Sequence, residues 1–186
     1  IFFKEAPLPL MHINPDGHRN PGYHPAASPW KTPASQQKVS TMTPRSVSSP
    51  QKFLIGAGLF DQVGEYIAEH GDFAFLVADA FFLERIHTQT VPALASQSIR
   101  AHVEPFGREC TTEEIARLNR AFLASGANVV VGVGGGKGLD AAKAVAHDCK
   151  APLMLVPTIA STDAPCTALA VVYRQDGTFD HYLFLP

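Results

Sequence analysis

A chain of 186 residues, 46% of them hydrophobic, is long enough for one domain with a real core. A formal net charge of −2 argues against a nucleic-acid partner recruited by bulk charge, and no run of about 18 apolar residues is present to span a membrane as a helix. The cysteines, Cys110, Cys149 and Cys166, are odd in number and lack C-x-x-C spacing, so they read as free thiols of a reducing, cytoplasmic setting rather than a disulfide frame or zinc knuckle.

Nine of the 15 prolines fall within residues 1–50, among Ser, Thr, Gln and His without apolar periodicity. Residues 1–45 therefore read as a disordered or non-native extension, with Met42 as an alternative start, and residues 46–186 as the ordered domain. Ile1-Phe2-Phe3 is too short for a signal-peptide core.

In chain order, residues 52–55 are a short strand candidate. Leu59, Val63, Tyr66 and Ile67 then recur at helical spacing before Gly71. The continuous apolar run 73–78 predicts a buried strand. Residues 81–96 predict a helix, with Pro92 as a break or kink. A strand is expected over 99–106. Thr111 and Glu114 form a capping-box pattern that opens a helix through Ile115, Leu118 and Phe122, with Gly126 placed to end it. Strand 128–133 runs into Gly132-Val133-Gly134-Gly135-Gly136-Lys137-Gly138, followed by a helix with Leu139, Ala142, Ala146 and Cys149 on one face. A strand over 153–156 and a hairpin around Asp176-Gly177 complete the order. Alternating strands and helices imply an α/β fold: a Rossmann-like, mostly parallel sheet with flanking helices and a C-terminal β-hairpin.

The glycine loop carries the chemistry. Residues without a Cβ let the backbone approach a ligand, and a helix start presents N–H groups to an anion such as a phosphate. Neither common nucleotide fingerprint fits: the third glycine of G-x-G-x-x-G is replaced by Lys137, and the Walker loop would need glycine at Val131 and Ser or Thr at Gly138. A plain strand–helix turn is the alternative. Asp79 follows a buried strand and reads either as a ribose-hydroxyl acceptor or as the N-cap of the next helix. Lys137 is placed to pair with a phosphate, and Asp140 also answers the helix dipole. Thr158, Ser161 and Thr162 cluster hydroxyls around Asp163, the one acid of that loop. The histidines show no ligand spacing, and no nucleophile elbow occurs. The residues supply a nucleotide crevice without a complete catalytic centre.

The segments 49–57, Phe106-Gly107-Arg108-Glu109-Cys110, the loop 132–137, Pro157-Thr158-Ile159-Ala160-Ser161-Thr162-Asp163-Ala164-Pro165-Cys166 and the final 179–186 resemble the glycerol dehydrogenases of the iron-containing-type, metal-dependent alcohol dehydrogenase family. The resemblance covers roughly residues 46–186 and is most specific at 158–166. It implies the N-terminal NAD-binding α/β domain of a two-domain enzyme. It implies that Asp79, Gly136, Lys137, Asp140, Thr158, Ser161, Thr167, Leu169 and Tyr173 bind NAD and that Asp163 contacts glycerol. It also implies a Zn2+ site whose Asp and two His ligands belong to a helical second domain, expected beyond Pro186. The implied reaction is NAD-dependent oxidation of glycerol, or a related small polyol, to a hydroxyketone such as dihydroxyacetone. The implied setting is cytoplasmic, with no nucleic-acid or membrane partner and a homo-oligomer when full length. This chain alone, the cofactor half, is expected to be inactive. The family usually has Thr after the loop lysine; Gly138 departs from that. The alternatives are a non-catalytic nucleotide-binding fragment and a related dehydrogenase or synthase with the same loop, such as glycerol-1-phosphate dehydrogenase or dehydroquinate synthase.

Overall fold

The computed structural model describes residues 2–3 and 51–185. Its centre is a parallel array of four strands, β3 (Phe73–Ala78), β4 (Arg100–Pro105), β5 (Val129–Gly134) and β6 (Leu153–Pro157). They stand in the order β6-β5-β3-β4. Two short strands, β1 (Phe2–Phe3) and β2 (Lys52–Phe53), extend the β6 edge, with β1 antiparallel to both β2 and β6. A separate antiparallel pair, β7 (Leu169–Tyr173) and β8 (Phe179–Phe184), forms the C-terminal hairpin. The α/β class and the hairpin agree with the sequence reading. Phe2 and Phe3 lie within the stretch read as disordered or non-native; residues 1 and 4–45 lie outside the described residues.

The inner strands read as unbroken apolar runs because both faces of the sheet are covered. Side chains alternate between the faces. Phe75, Val77, Val130 and Leu155 point to one cluster, built with α4 (Thr112–Ser125) and α5 (Gly136–Cys149). Ala74, Leu76, Val129, Val131 and Met154 point to the other, with Ile67 of α1 (Val63–Ala68) and Leu94 of α3 (Val91–Ser96). At Gly132 α5 lies close against β5: a Cβ there would sit 2.7 Å from Ala142 Cβ. Any side chain would push the helix off the sheet.

The helix expected over 81–96 is corrected into four consecutive helical pieces. A 3-10 turn (Ala80–Phe82) leads into α2 (Leu83–Arg85), a π-turn (Ile86–Thr90) and then α3. Pro92 has no N–H for an i→i−4 bond, and its ring crowds the carbonyl of Thr88. The wider turn relieves that conflict; the Val91 N–H reaches back to the Ile86 carbonyl, one residue farther than in an α-helix. The sequence shows where the proline sits but not that the chain continues past it.

The capping box at α4 is half made. Thr111 Oγ1 accepts the Glu114 N–H at 3.1 Å, and Gly126 ends the helix with φ +73°. Glu114, instead of returning to Thr111, accepts from the Gly107 N–H at 2.8 Å and from Arg117 Nη2 at 2.7 Å. Arg117 also donates to the Pro105 carbonyl at 2.7 Å and to Glu104. The carboxylate thus ties the loop after β4 to α4. Burial opposes its charge, but the hydrogen bonds from Arg117 and Gly107 and the Arg117 charge together hold Glu114 below its ordinary value. A depressed folded-state value stabilises above the unfolded value and is lost as pH falls through the folded one. Wild type is therefore expected to lose more stability than Glu114→Gln between about pH 5 and pH 3 in urea-unfolding series. Equal losses would show that the carboxylate is not coupled to folding.

Candidate functional site

The carboxyl ends of β3, β5 and β6 meet at one edge, which is where ligands enter open parallel sheets. β3 ends at Ala78 before Asp79, β5 ends at Gly134 before Gly135, and β6 ends at Pro157 before Thr158. Asp79 occupies the N-cap position of the 3-10 turn but makes no side-chain cap bond. Its Oδ2 accepts the Gly135 N–H at 2.9 Å, so the side chain faces the glycine loop. A Cβ on Gly134, whose φ is +159°, would overlap that same oxygen. The Thr158 N–H donates to the Gly134 carbonyl at 3.1 Å, closing the loop against the next strand.

Gly135 is the N-cap of α5, so Gly136, Lys137 and Gly138 form its first turn. Their N–H groups have no partner within the helix, which leaves a partial positive charge at this end of α5. Gly136 lies under Thr162: a Cβ there would come within 2.7 Å of Thr162 Oγ1. Lys137 is exposed. Its Nζ donates to Glu109 Oε2 at 2.5 Å and lies 5.1 Å from the centre of the Tyr173 ring.

Asp140 is not at the open mouth. It is buried, its Oδ2 accepts the Val171 N–H at 3.0 Å, and its Oδ1 lies 2.7 Å from Lys143 Nζ. Lys143, 3% exposed, gives its hydrogen bonds to the carbonyls of Ala164 (2.9 Å), Thr167 (3.3 Å) and Leu169. An ammonium has three N–H donors, and three carbonyls take them. The contact with Asp140 is therefore purely ionic, and Oδ1 accepts no hydrogen bond. This pair draws the segment 164–171 onto α5, and with it Thr167 and Leu169.

Ser161 and Asp163 lie on the exposed part of the 158–166 loop. The Asp163 carbonyl accepts the Cys166 N–H at 2.8 Å, while its carboxylate does not cap the 3-10 turn Ala164–Cys166. The structure thus gathers Asp79, Gly136, Lys137, Thr158 and Tyr173 around the loop and turns Asp140 inward. The sequence reading singled out neither Lys143 nor the carboxylate of Glu109. The signal for Lys143 was an Asp-x-x-Lys pair inside a helix otherwise rich in Ala and Val. Nothing local marks Glu109, 28 residues before its partner.

No group of three or more His, Cys, Asp or Glu side chains among the described residues is arranged to hold a metal ion. Cys110 is no nucleophile: burial, then the charges of Asp140 and Glu109, push its thiol up to about 12 against the pull of Lys143.

A parallel array whose central strand feeds a glycine turn and a long helix defines a Rossmann-like α/β domain. The chain belongs to the iron-containing alcohol dehydrogenase family, which it matches over residues 50–185. It is 39% identical over 142 residues to a glycerol dehydrogenase of Escherichia coli O6:H1, covering 76% of this chain and 39% of that protein. It is 44% identical over 137 residues to one of Thermotoga maritima, covering 74% and 37%. Its fold matches the crystal structure of a probable glycerol dehydrogenase from Sinorhizobium meliloti 1021 with a TM-score of 0.66 at 39% identity, over 77% of this chain and 38% of that one. The glycerol dehydrogenase of Schizosaccharomyces pombe gives a TM-score of 0.69 at 32% identity, over 78% and 37%. The chain spans about two fifths of the length of these relatives.

Lys143→Met would leave the Asp140 carboxylate buried without its cation, a change that costs about 3–5 kcal/mol. The double variant Asp140→Asn/Lys143→Met is expected to recover part of that loss in urea unfolding. A single-variant loss under about 1 kcal/mol would mean that the segment 164–171 is held by other contacts.

Proposed function

We propose that this chain forms the cofactor half of an NAD-dependent dehydrogenase that oxidises glycerol, or a related small polyol, to a hydroxyketone such as dihydroxyacetone. The observation that carries the reading is the glycine turn at the start of α5. There the backbone is bare, Gly136 lies tight against Thr162, and Lys137 presents its ammonium at the crevice mouth. Such a site suits a pyrophosphate. The relatives' names supply the substrate class.

The Asp79 carboxylate, already turned to the loop, favours a free ribose hydroxyl over a 2′-phosphate, and so NAD over NADP. Thr158 and Ser161 offer hydroxyls along the β6 side, and Thr167, Leu169 and Tyr173 form the opposite wall. Asp163, on the exposed loop, is the proposed contact to substrate hydroxyls. Bound NAD supplies the hydride acceptor. The metal that polarises the alcohol in this reading is not assigned to the described residues, because they contain no cluster to hold it. A phosphorylated substrate fits less well, since Asp163 is the one charge in the stretch 158–166.

Gly135→Val and Gly136→Val are expected to abolish NAD binding in calorimetric titration, since branched side chains there meet Ile159 and Thr162 and fill the approach to the turn. Unchanged affinity in both would move the cofactor elsewhere. With the chain joined to the second domain of a family member, glycerol-dependent NADH production is expected. Asp163→Asn should then lower kcat/KM for glycerol at least about tenfold while shifting the Kd for NAD less than about twofold. A loss confined to NAD binding would remove Asp163 from the substrate site.

A further inference from the structure

Lys137 is the one charged residue of the glycine turn, and its ammonium is engaged by side chains from elsewhere in the chain. Three separate segments meet at it. Lys137 comes from the first turn of α5, Tyr173 from the end of β7, and Glu109 from the loop between β4 and α4. The carboxylate lies 2.5 Å from the ammonium, and the Tyr173 ring faces it at 5.1 Å. Glu109 is not a swinging surface acid. Its side chain is 25% exposed, against 51% for Lys137. Its Oε1 accepts the Cys110 N–H at 3.3 Å, and its carbonyl accepts the Thr111 N–H at 3.0 Å. The next residue is fixed as well: the Tyr173 N–H donates to the Cys110 carbonyl at 2.8 Å, so the acid and the ring are carried on one hydrogen-bonded frame.

We propose that Glu109 is an internal counter-anion for Lys137, an affinity-setting residue that a ligand phosphate must displace before Lys137 can bind it. The inference rests on the reading of the glycine turn as the pyrophosphate site. A phosphate that recruits Lys137 competes with Glu109 for one ammonium, and both anions then crowd the same few ångströms. Like charges so placed oppose each other, and the free state is stabilised by the pair it must give up. Glu109 therefore lowers affinity by design of the site and favours release of the cofactor. The half-exposed geometry limits the effect to that of a partly solvated ion pair.

Calorimetric titration of the 186-residue chain with NAD tests this through four proteins: wild type, Glu109→Gln, Lys137→Met and the double variant. Glu109→Gln is expected to bind NAD about two- to fivefold more tightly than wild type, with a steeper loss of affinity as salt is raised. Lys137→Met is expected to weaken binding, and adding Glu109→Gln to it should give no further gain. A second readout needs no ligand: acylation of Lys137, followed by peptide mass spectrometry, should be slower in wild type than in Glu109→Gln, because the pair shields the amine. If Lys137→Met weakens binding while Glu109→Gln leaves it unchanged or weaker, the counter-anion is overturned and the pyrophosphate site stands. If Lys137→Met has no effect, or wild type does not bind NAD, the site reading fails and the inference fails with it. Equal acylation rates overturn the pairing itself.

Discussion

The buried ammonium of Lys143 is the interaction on which the arrangement of this site depends. It sits on the inner face of α5 and gathers three main-chain carbonyls, from Ala164, Thr167 and Leu169, onto one point. Ala164 opens a 3-10 turn, Thr167 lies between that turn and β7, and Leu169 is the first residue of β7, so one ammonium ties three different pieces of backbone together. Asp140, one turn earlier on the same helix, balances the charge and anchors the Val171 N–H. A buried pair of this kind need not be more stable than an apolar core of the same volume. What it provides is uniqueness: few placements of the segment 164–171 bring three carbonyls and one N–H to these two side chains.

The rest of the site follows from where that helix begins. α5 packs tightly on β5 because Gly132 offers no Cβ to Ala142. Its first turn is thereby set at the carboxyl edge of the sheet, between the ends of β3 and β6. The same helix thus performs two tasks at different depths. Its first turn holds Gly136, Lys137 and Gly138 at that edge, and its second turn fixes the wall of chain 164–171 through Asp140 and Lys143. The Tyr173 N–H bond to the Cys110 carbonyl and the neighbouring Thr111–Tyr173 bridge join that wall to the loop after β4, which brings Glu109 to Lys137.

Much of this order was legible beforehand. The apolar runs at 73–78 and 128–133, the Thr111 cap, the Gly126 stop and the Asp176-Gly177 turn are signals carried within a few residues, and each forms within one residue of its expected place. Pro92 was legible as a disturbance but not in its outcome. Whether a helix ends or widens at a proline depends on what its flanks bury, and here Ile86 and Leu94 are both buried against the sheet, which keeps the chain helical through a π-turn. Glu114 was read as half of a capping box, yet Gly107 and Arg117 compete for its carboxylate and win.

The sequence by itself determined the alternation of strands and helices, the position of the glycine turn and the polar residues at the strand ends, because periodicity, turn chemistry and capping act over short spans of chain. Tertiary structure decided what those polar residues face. Asp79 turned to the Gly135 N–H rather than to its own helix, Asp140 turned inward to Lys143, and Glu109 met Lys137 across 28 residues. A charged side chain takes the partner with which it loses least solvation and gains the best geometry. That partner is chosen by the packing of the sheet and its helices, which no local stretch of sequence contains.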